Sequence, residues 1–196
     1  MARTPDSTRR SERSRSAILT ATRELVGETA YAKLTIEAIA ARAGVGKQTI
    51  YRWWPSKGAV VFDALLAPSA SPEDGLIELP DTGDIAADLK TVLRATVAEF
   101  ADPAFSAPIR AVLTEVINDP DLAALYREKL NAPIHAAKVR RLASAQLAGQ
   151  LRADADLDLM VDLLYGPITQ RWLPGAGPLD EAFADALVDT VLRAFT

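Results

Sequence analysis

The sequence contains no cysteine and a single histidine, His135. Disulfide crosslinks, thiolate metal sites and cysteine nucleophiles are thereby excluded, and no two-histidine metal site can form. A long apolar run is also missing. The most apolar stretch, AVVFDALLA at 59–67, is interrupted by Asp63, and the amino terminus is charged, with no apolar segment of the signal-peptide kind. A cytoplasmic location is expected on that basis. No stretch alternates apolar and polar residues like a strand, no internal repeat is found, and GxSxG, HExxH and paired acid–base arrangements are lacking. GVGKQT at 44–49 has neither the glycine spacing nor the preceding strand of a phosphate loop. No enzymatic activity is expected, and no metal or other cofactor.

What is present is an uneven distribution of charge over 196 residues, a length that can bury a sizeable core. Residues 1–66 hold 11 Lys/Arg and 6 Asp/Glu, or 11 − 6 = +5; residues 67–196 hold 11 and 20, or 11 − 20 = −9. One end attracts polyanions and the remainder repels them, so a net charge of −4 does not argue against DNA binding.

Alanine-rich segments with apolar residues three and four apart predict an all-α protein. Residues 1–13, MARTPDSTRRSER, have almost no apolar content and read as a flexible basic arm. Residues 14–66 follow as a compact helical domain. Its first helix is expected from Ser14 to Gly27 on a stripe of Ile18, Leu19, Leu25 and Val26, and its second, capped by Thr35, ends at Gly44. A third, short helix spans 46–54 and is stopped by Pro55; Ser56 caps a fourth, KGAVVFDALL. Residues 67–82, rich in Pro, Ser, Gly and acids, mark a linker into a second helical domain, 67–196, with helices expected at 84–101, 104–118, 120–149, 156–172 and 179–195. Pro133 and Pro167 predict kinks or breaks within two of these.

A capped helix, a glycine turn and a second short helix form the spacing of a helix-turn-helix, whose second helix enters the DNA major groove. At about 100° per residue from Lys47, Tyr51, Gln48 and Arg52 fall within one arc of about 140°, Ile50 and Trp53 fall opposite, and Thr49 lies on the border. The polar arc carries suitable chemistry. Arg52 can pair bidentately with guanine, Gln48 with adenine, and Lys47 can reach base or phosphate. Tyr51 can donate its hydroxyl to a phosphate, and Lys57, at the start of the fourth helix, adds a cation to the same strand. Arg9, Arg10, Arg13 and Arg15 either reach an adjacent minor groove, raise nonspecific affinity, or belong to an arm that is disordered and unused. A solvated basic hairpin is the competing reading, and the order of the elements argues against it.

T35-IEAIAARAGVGKQTIYRWWPSK-57 resembles the DNA-binding signature of TetR-family transcriptional regulators in its capped second helix, its AARAGV, its T-I-Y and its closing proline-serine-lysine. With the preceding helix the likeness covers about 45 residues; LYGPITQRW and PLDEAFADALV further on resemble the C-terminal part of some members. The resemblance implies that Thr35, Lys47, Gln48, Thr49, Tyr51, Arg52 and Lys57 touch DNA. The sequence departs from the family pattern in Trp53-Trp54, where smaller aromatics or histidine are frequent, and in Gly58-Ala59, which replaces a commoner acidic pair.

The resemblance further implies a homodimer that represses by binding an inverted-repeat operator and is released by a small effector, which displaces the fourth helix. In the final helix Phe183, Leu187 and Val191 form an apolar stripe suited to a dimer interface, while Met160 and Leu164, beside Leu159 and Leu163, offer a partner stripe one helix earlier. Glu181, Asp185 and Asp189 are expected to face solvent, as is His135. Residues lining a cavity look like residues filling a core, so both roles stay open for Phe62, Phe100, Phe105, Leu113, Tyr126, Ile134, Tyr165 and Trp172. Few buried charges are evident, which favours a largely apolar effector. The alternative is a DNA-binding dimer with no small-molecule effector, controlled by a protein partner or by concentration. A membrane partner is not expected.

Overall fold

The computed structural model describes residues 7–66 and 78–196. The side chains of Arg9 and Arg10, and residues 67–77 of the expected linker, lie outside that range. The described residues are helical throughout, without strands: α1 (Ser7–Glu28), α2 (Ile36–Ala43), α3 (Lys47–Tyr51), α4 (Lys57–Leu66), α5 (Ile85–Ala101), α6 (Pro103–Asn118), α7 (Pro120–Tyr126), α8 (Ala132–Leu147), α9 (Leu157–Trp172) and α10 (Glu181–Phe195). None of these is long and apolar enough to cross a membrane.

Two boundaries differ from the sequence-based expectation. The first helix starts at Ser7, inside the stretch expected to be a flexible arm. Arg, Ser and Glu leave no apolar periodicity to read, yet their helix propensities suffice to extend a helix that is anchored further on. The third helix closes at Tyr51 instead of 54, with turns through Trp53. The break expected near Pro133 is present: helix 120–149 is divided by a π-helical segment, Arg127–Asn131, that ends two residues before it, whereas α9 continues through Pro167. Proline has no N–H to give to the preceding turn, and the ladder widens where that donor is missing.

The chain divides into two compact units: Met1–Glu73 with Ala107–Tyr126, and Asp74–Ser106 with Arg127–Thr196. The first therefore includes part of the sequence beyond the expected boundary at residue 66. Its core is formed by Ile18, Leu19, Ile36, Ile39, Ile50, Val60 and Val61, all buried. Leu122 of α7 is buried as well, and Tyr126 packs its ring 6.0 Å from that of Phe62 on α4. Periodicity identifies the apolar face of α6 and α7 but not the helix it will cover.

The second unit packs α5, α8, α9 and α10 around Leu93, Leu142, Met160, Leu164, Ile168 and Val188. Asp84, Asp156 and Asp180 cap α5, α9 and α10 by accepting bonds from Ala87, Leu159 and Phe183 backbone N–H groups. The acidic line of α10 lies on the solvent side as expected, and two of its members make surface ion pairs. Asp185 accepts two hydrogen bonds from Arg94, at 2.8 and 2.6 Å, and Asp189 lies 2.7 Å from Lys90, so two turns of α5 are bound to two turns of α10. His135 bonds across to Asp158 at 2.6 Å.

Candidate nucleic-acid interface

The helix-turn-helix is built by two capping devices. Thr35 has extended backbone, and its hydroxyl accepts a 3.1 Å bond from the Ala38 N–H, which starts α2. Gly44 ends it at φ 66°, a left-handed conformation that a Cβ would penalise, and the Val45 N–H returns to the Ala40 carbonyl at 3.0 Å. The chain is thereby turned into α3.

Ile50, completely buried, anchors α3 to the core, while Lys47, Gln48, Tyr51 and Arg52 are exposed on the other side. Tyr51 has 46% of its surface accessible, unusual for a tyrosine with no packing role. Thr49 is half-buried at the edge, as its border position on the wheel suggested. These five residues form one surface, and Thr35 is exposed at the head of the adjoining helix.

Trp53 does not lie in the core as the helical wheel expected; it is 37% exposed, and Trp54 takes the interior position at 4%. The helical bonding runs on past Tyr51, with the Trp54 N–H on the Ile50 carbonyl at 2.9 Å, so Trp54 is the residue one turn after Ile50 on the buried side and Trp53 falls on its flank. The Arg52 guanidinium sits 5.7 Å from the Trp53 ring centroid, and its other polar contact is with the Ser11 hydroxyl at 3.4 Å. Lys47 is 3.6 Å from Glu37, with both side chains more than half exposed, a pair of little energetic weight.

Trp54 is held by Asp63 of α4, which accepts a 3.0 Å bond from the indole N–H and a 2.6 Å bond from Arg15 of α1. Arg15 also sits 5.7 Å from the Trp54 ring centroid. Of the four arginines read from sequence as a DNA-seeking arm, Arg15 is thus part of the framework, whereas Arg13 is exposed.

Lys57 occupies a third kind of place. Its ammonium lies 4.0 Å from the Tyr31 ring centroid, donates to the Tyr31 carbonyl at 3.2 Å, and is 4.0 Å from Glu115 of α6. Beside it, Gly58 is closely covered by two side-chain ends: a Cβ there would meet the Glu115 carboxylate at 2.5 Å and the Leu122 methyl at 2.7 Å, so both would have to shift. The acidic group absent from position 58 is supplied from α6. Burial first, and then that carboxylate, push the Tyr31 phenol far above its ordinary pKa.

The other sequence-derived candidates separate by unit. Phe62, Leu113 and Tyr126 belong to the first; Phe100, Phe105, Ile134, Tyr165 and Trp172 belong to the second. Phe100 stacks on Trp172 at 4.2 Å with 14° between planes and on Phe105 at 6.4 Å. Sequence reasoning did not find Lys138 of α8, whose ammonium stands 3.2 Å from the Tyr165 ring centroid. Of the expected dimer residues, Met160, Leu164 and Val191 are buried inside their own unit, and Phe183 and Leu187 are half-buried. The exposed apolar side chains of α9 are Leu159 and Leu163, at 48% and 42%. A single helix wheel cannot tell which flank of a broad apolar surface its own chain will cover.

The profile for bacterial regulatory proteins of the tetR family matches residues 18–64, and that for the tetracyclin repressor-like C-terminal domain matches residues 79–191. The chain belongs to the TetR family of transcriptional regulators. It is similar to the HTH-type transcriptional regulator YdeS of Bacillus subtilis, 32% identical over 95% of this chain and 90% of that one. It is also similar to a protein of Mycobacteroides abscessus named as the DNA-binding transcriptional repressor TetR, 31% identical over 93% and 94% of the two chains. Among solved structures, the TetR-family transcription regulator SCO0332 superimposes with a TM-score of 0.71 at 37% identity, over 92% of this chain and 97% of that one. This TetR-family chain is accordingly a helix-turn-helix, DNA-binding transcriptional regulator, and its exposed α3 surface lies in the segment that the first profile covers.

Proposed function

We propose that the protein is a repressor that binds an inverted-repeat operator as a homodimer and leaves it when a small, largely apolar effector binds the second unit. The observation that carries this reading is the exposed set Lys47, Gln48, Tyr51 and Arg52 on a helix fixed from behind by Ile50 and Trp54. In this reading Arg52 and Gln48 read bases; Lys47, Tyr51, Thr35, Thr49 and Lys57 contact the backbone and set register. The repressor name of the similar Mycobacteroides protein supports the direction of control. Two copies joined through α9 and α10 would space their recognition helices about 34–36 Å apart, one turn of DNA. An effector that binds better to a dimer of different spacing then weakens the operator complex by its differential affinity, typically about 1–3 kcal/mol.

Selection of random duplex DNA with the purified protein at a stated salt concentration tests this. An inverted repeat should be enriched, and Arg52→Ala should relax one base of each half-site. Binding without any motif, vanishing steeply with salt, would reduce the surface to an electrostatic platform and end the repressor reading.

A further inference from the structure

Three residues capable of carrying positive charge follow one another at three-residue intervals along α8: His135, Lys138 and Arg141. The first and third each have an aspartate. His135 bonds to Asp158 at 2.6 Å, and Arg141 bonds to the buried Asp88 at 2.6 Å. Lys138, between them, has an aromatic face and no ion-pair partner among the described residues: its ammonium rests 3.2 Å from the Tyr165 ring centroid. The Tyr165 hydroxyl is itself buried and makes no hydrogen bond there. A buried hydroxyl and a half-buried ammonium thus share one place with no protein acceptor between them, and the hydroxyl's lost hydrogen bond costs stability unless an acceptor binds.

Their surroundings indicate what else the acceptor would carry. Trp172 is seven residues beyond Tyr165 on α9, hence on nearly the same helix face and about 10 Å further along. Phe100 is stacked on it at 4.2 Å, with Phe105 behind. Donors lie at one end of this strip and flat aromatic surface at the other.

We propose that the effector is an aromatic acid, its anionic group held by Lys138 and the Tyr165 hydroxyl and its rings lying against Phe100 and Trp172. This rests on the effector-release reading above and specifies the ligand that reading left open. A cationic ligand would face two donors, and a hydrocarbon would leave both of them unsatisfied. Charge-assisted bonds from an ammonium and a hydroxyl favour a carboxylate or phenolate over a neutral oxygen. Burial lowers the Lys138 amine to about 8, which still leaves it mostly charged at neutral pH, and raises the Tyr165 phenol so that it remains a donor.

The test uses the full chain and two probes of equal shape, biphenyl-4-carboxylate and biphenyl-4-methanol, titrated by calorimetry at neutral pH. The carboxylate should bind about tenfold or more tightly than the alcohol. Lys138→Met should bring that ratio close to one while leaving the alcohol's affinity within about threefold, and Tyr165→Phe should lower it severalfold. Circular dichroism establishes whether each variant folds; if Lys138→Met does not, the wild-type ratio and Tyr165→Phe decide. Equal affinities, a preference that survives Lys138→Met, or failure of both probes to bind at millimolar concentration overturns the inference. Operator affinity measured with the same samples separates it from the broader reading. Selective binding of the carboxylate without loss of DNA affinity leaves the site standing and removes effector release, whereas release by other compounds alone does the reverse.

Discussion

Arg15 and Asp63, 48 residues apart in sequence, meet at 2.6 Å and join the first helix to the fourth behind the recognition helix. The same Asp63 oxygen accepts the Trp54 indole N–H at 3.0 Å, so the residue that ends the recognition segment is fixed to both. Asp63→Ala removes one acceptor and strands two donors. Both ends of the ion pair are about one-third exposed, so solvent screens part of it, and the expected loss of stability is about 1–2 kcal/mol. Chemical denaturation measures that loss. Operator affinity should fall while the preferred sequence stays the same, because no base-reading residue has been altered.

Lys57 lies 4.0 Å from Glu115, and in the proposed interface a DNA phosphate would compete for the same ammonium. Lys57→Met should weaken binding by a similar factor on every operator variant and lower the slope of log affinity against log salt by about 0.9 per subunit. Glu115→Gln, which frees the ammonium from its carboxylate, should raise affinity at low salt. Binding isotherms at four or five salt concentrations give both quantities.

Two adjacent leucines of α9, Leu163 and Leu164, should respond in opposite ways. Leu163→Glu places a charge on an exposed apolar surface: the chain should remain folded, the proposed homodimer should dissociate in light scattering, and operator affinity should fall about a hundredfold with the loss of bivalent attachment. Leu164→Ala opens a cavity in a buried site and should cost about 2–5 kcal/mol of stability with little change in the dimerisation constant of the folded protein.

Asp88 and Arg141 form a buried pair, with the Arg141 guanidinium also donating to the Pro80 carbonyl at 2.6 Å. Burial acts to raise the Asp88 pKa, but the bonds from Arg141 and from Thr82 outweigh it and hold the carboxyl below its ordinary 3.8. A carboxylate whose pKa is lowered by folding adds stability that is fully present above the unfolded value, about 3.9, and is lost as pH falls through the lower folded value. Acid unfolding should therefore steepen below about pH 4. Arg141→Met leaves the carboxylate buried without its cation and should cost about 3–5 kcal/mol at neutral pH, with the acid transition moved upward. Thermal denaturation across a pH series checks the sign.

Much of this arrangement could be read from the sequence, since its signals are local. Thr35, Gly44, Pro55 and Ser56 act within a turn of themselves, and the caps at Asp84, Asp156 and Asp180 follow the same rule. The polar arc of α3 was legible because Ile50 opposes it. Trp53 was misplaced because the buried side of this turn is already filled by Trp54, four residues after Ile50, which leaves Trp53 on the flank. Arg15, Asp185, Lys138 and the partition of α9 depend on partners distant in sequence, and no spacing rule encodes a contact between helices that are 48 or 91 residues apart.

Position 58 shows how such distant partners share a single role. Glycine there opens the space that the Glu115 carboxylate fills, 57 residues later in the chain. The same negative charge can thus be carried by either of two chain positions that draw on one space. A side chain added at 58 pushes the Glu115 carboxylate and the Leu122 methyl aside, so a substitution at 58 is felt at 115, and loss of the acid at 115 takes the carboxylate away from Lys57.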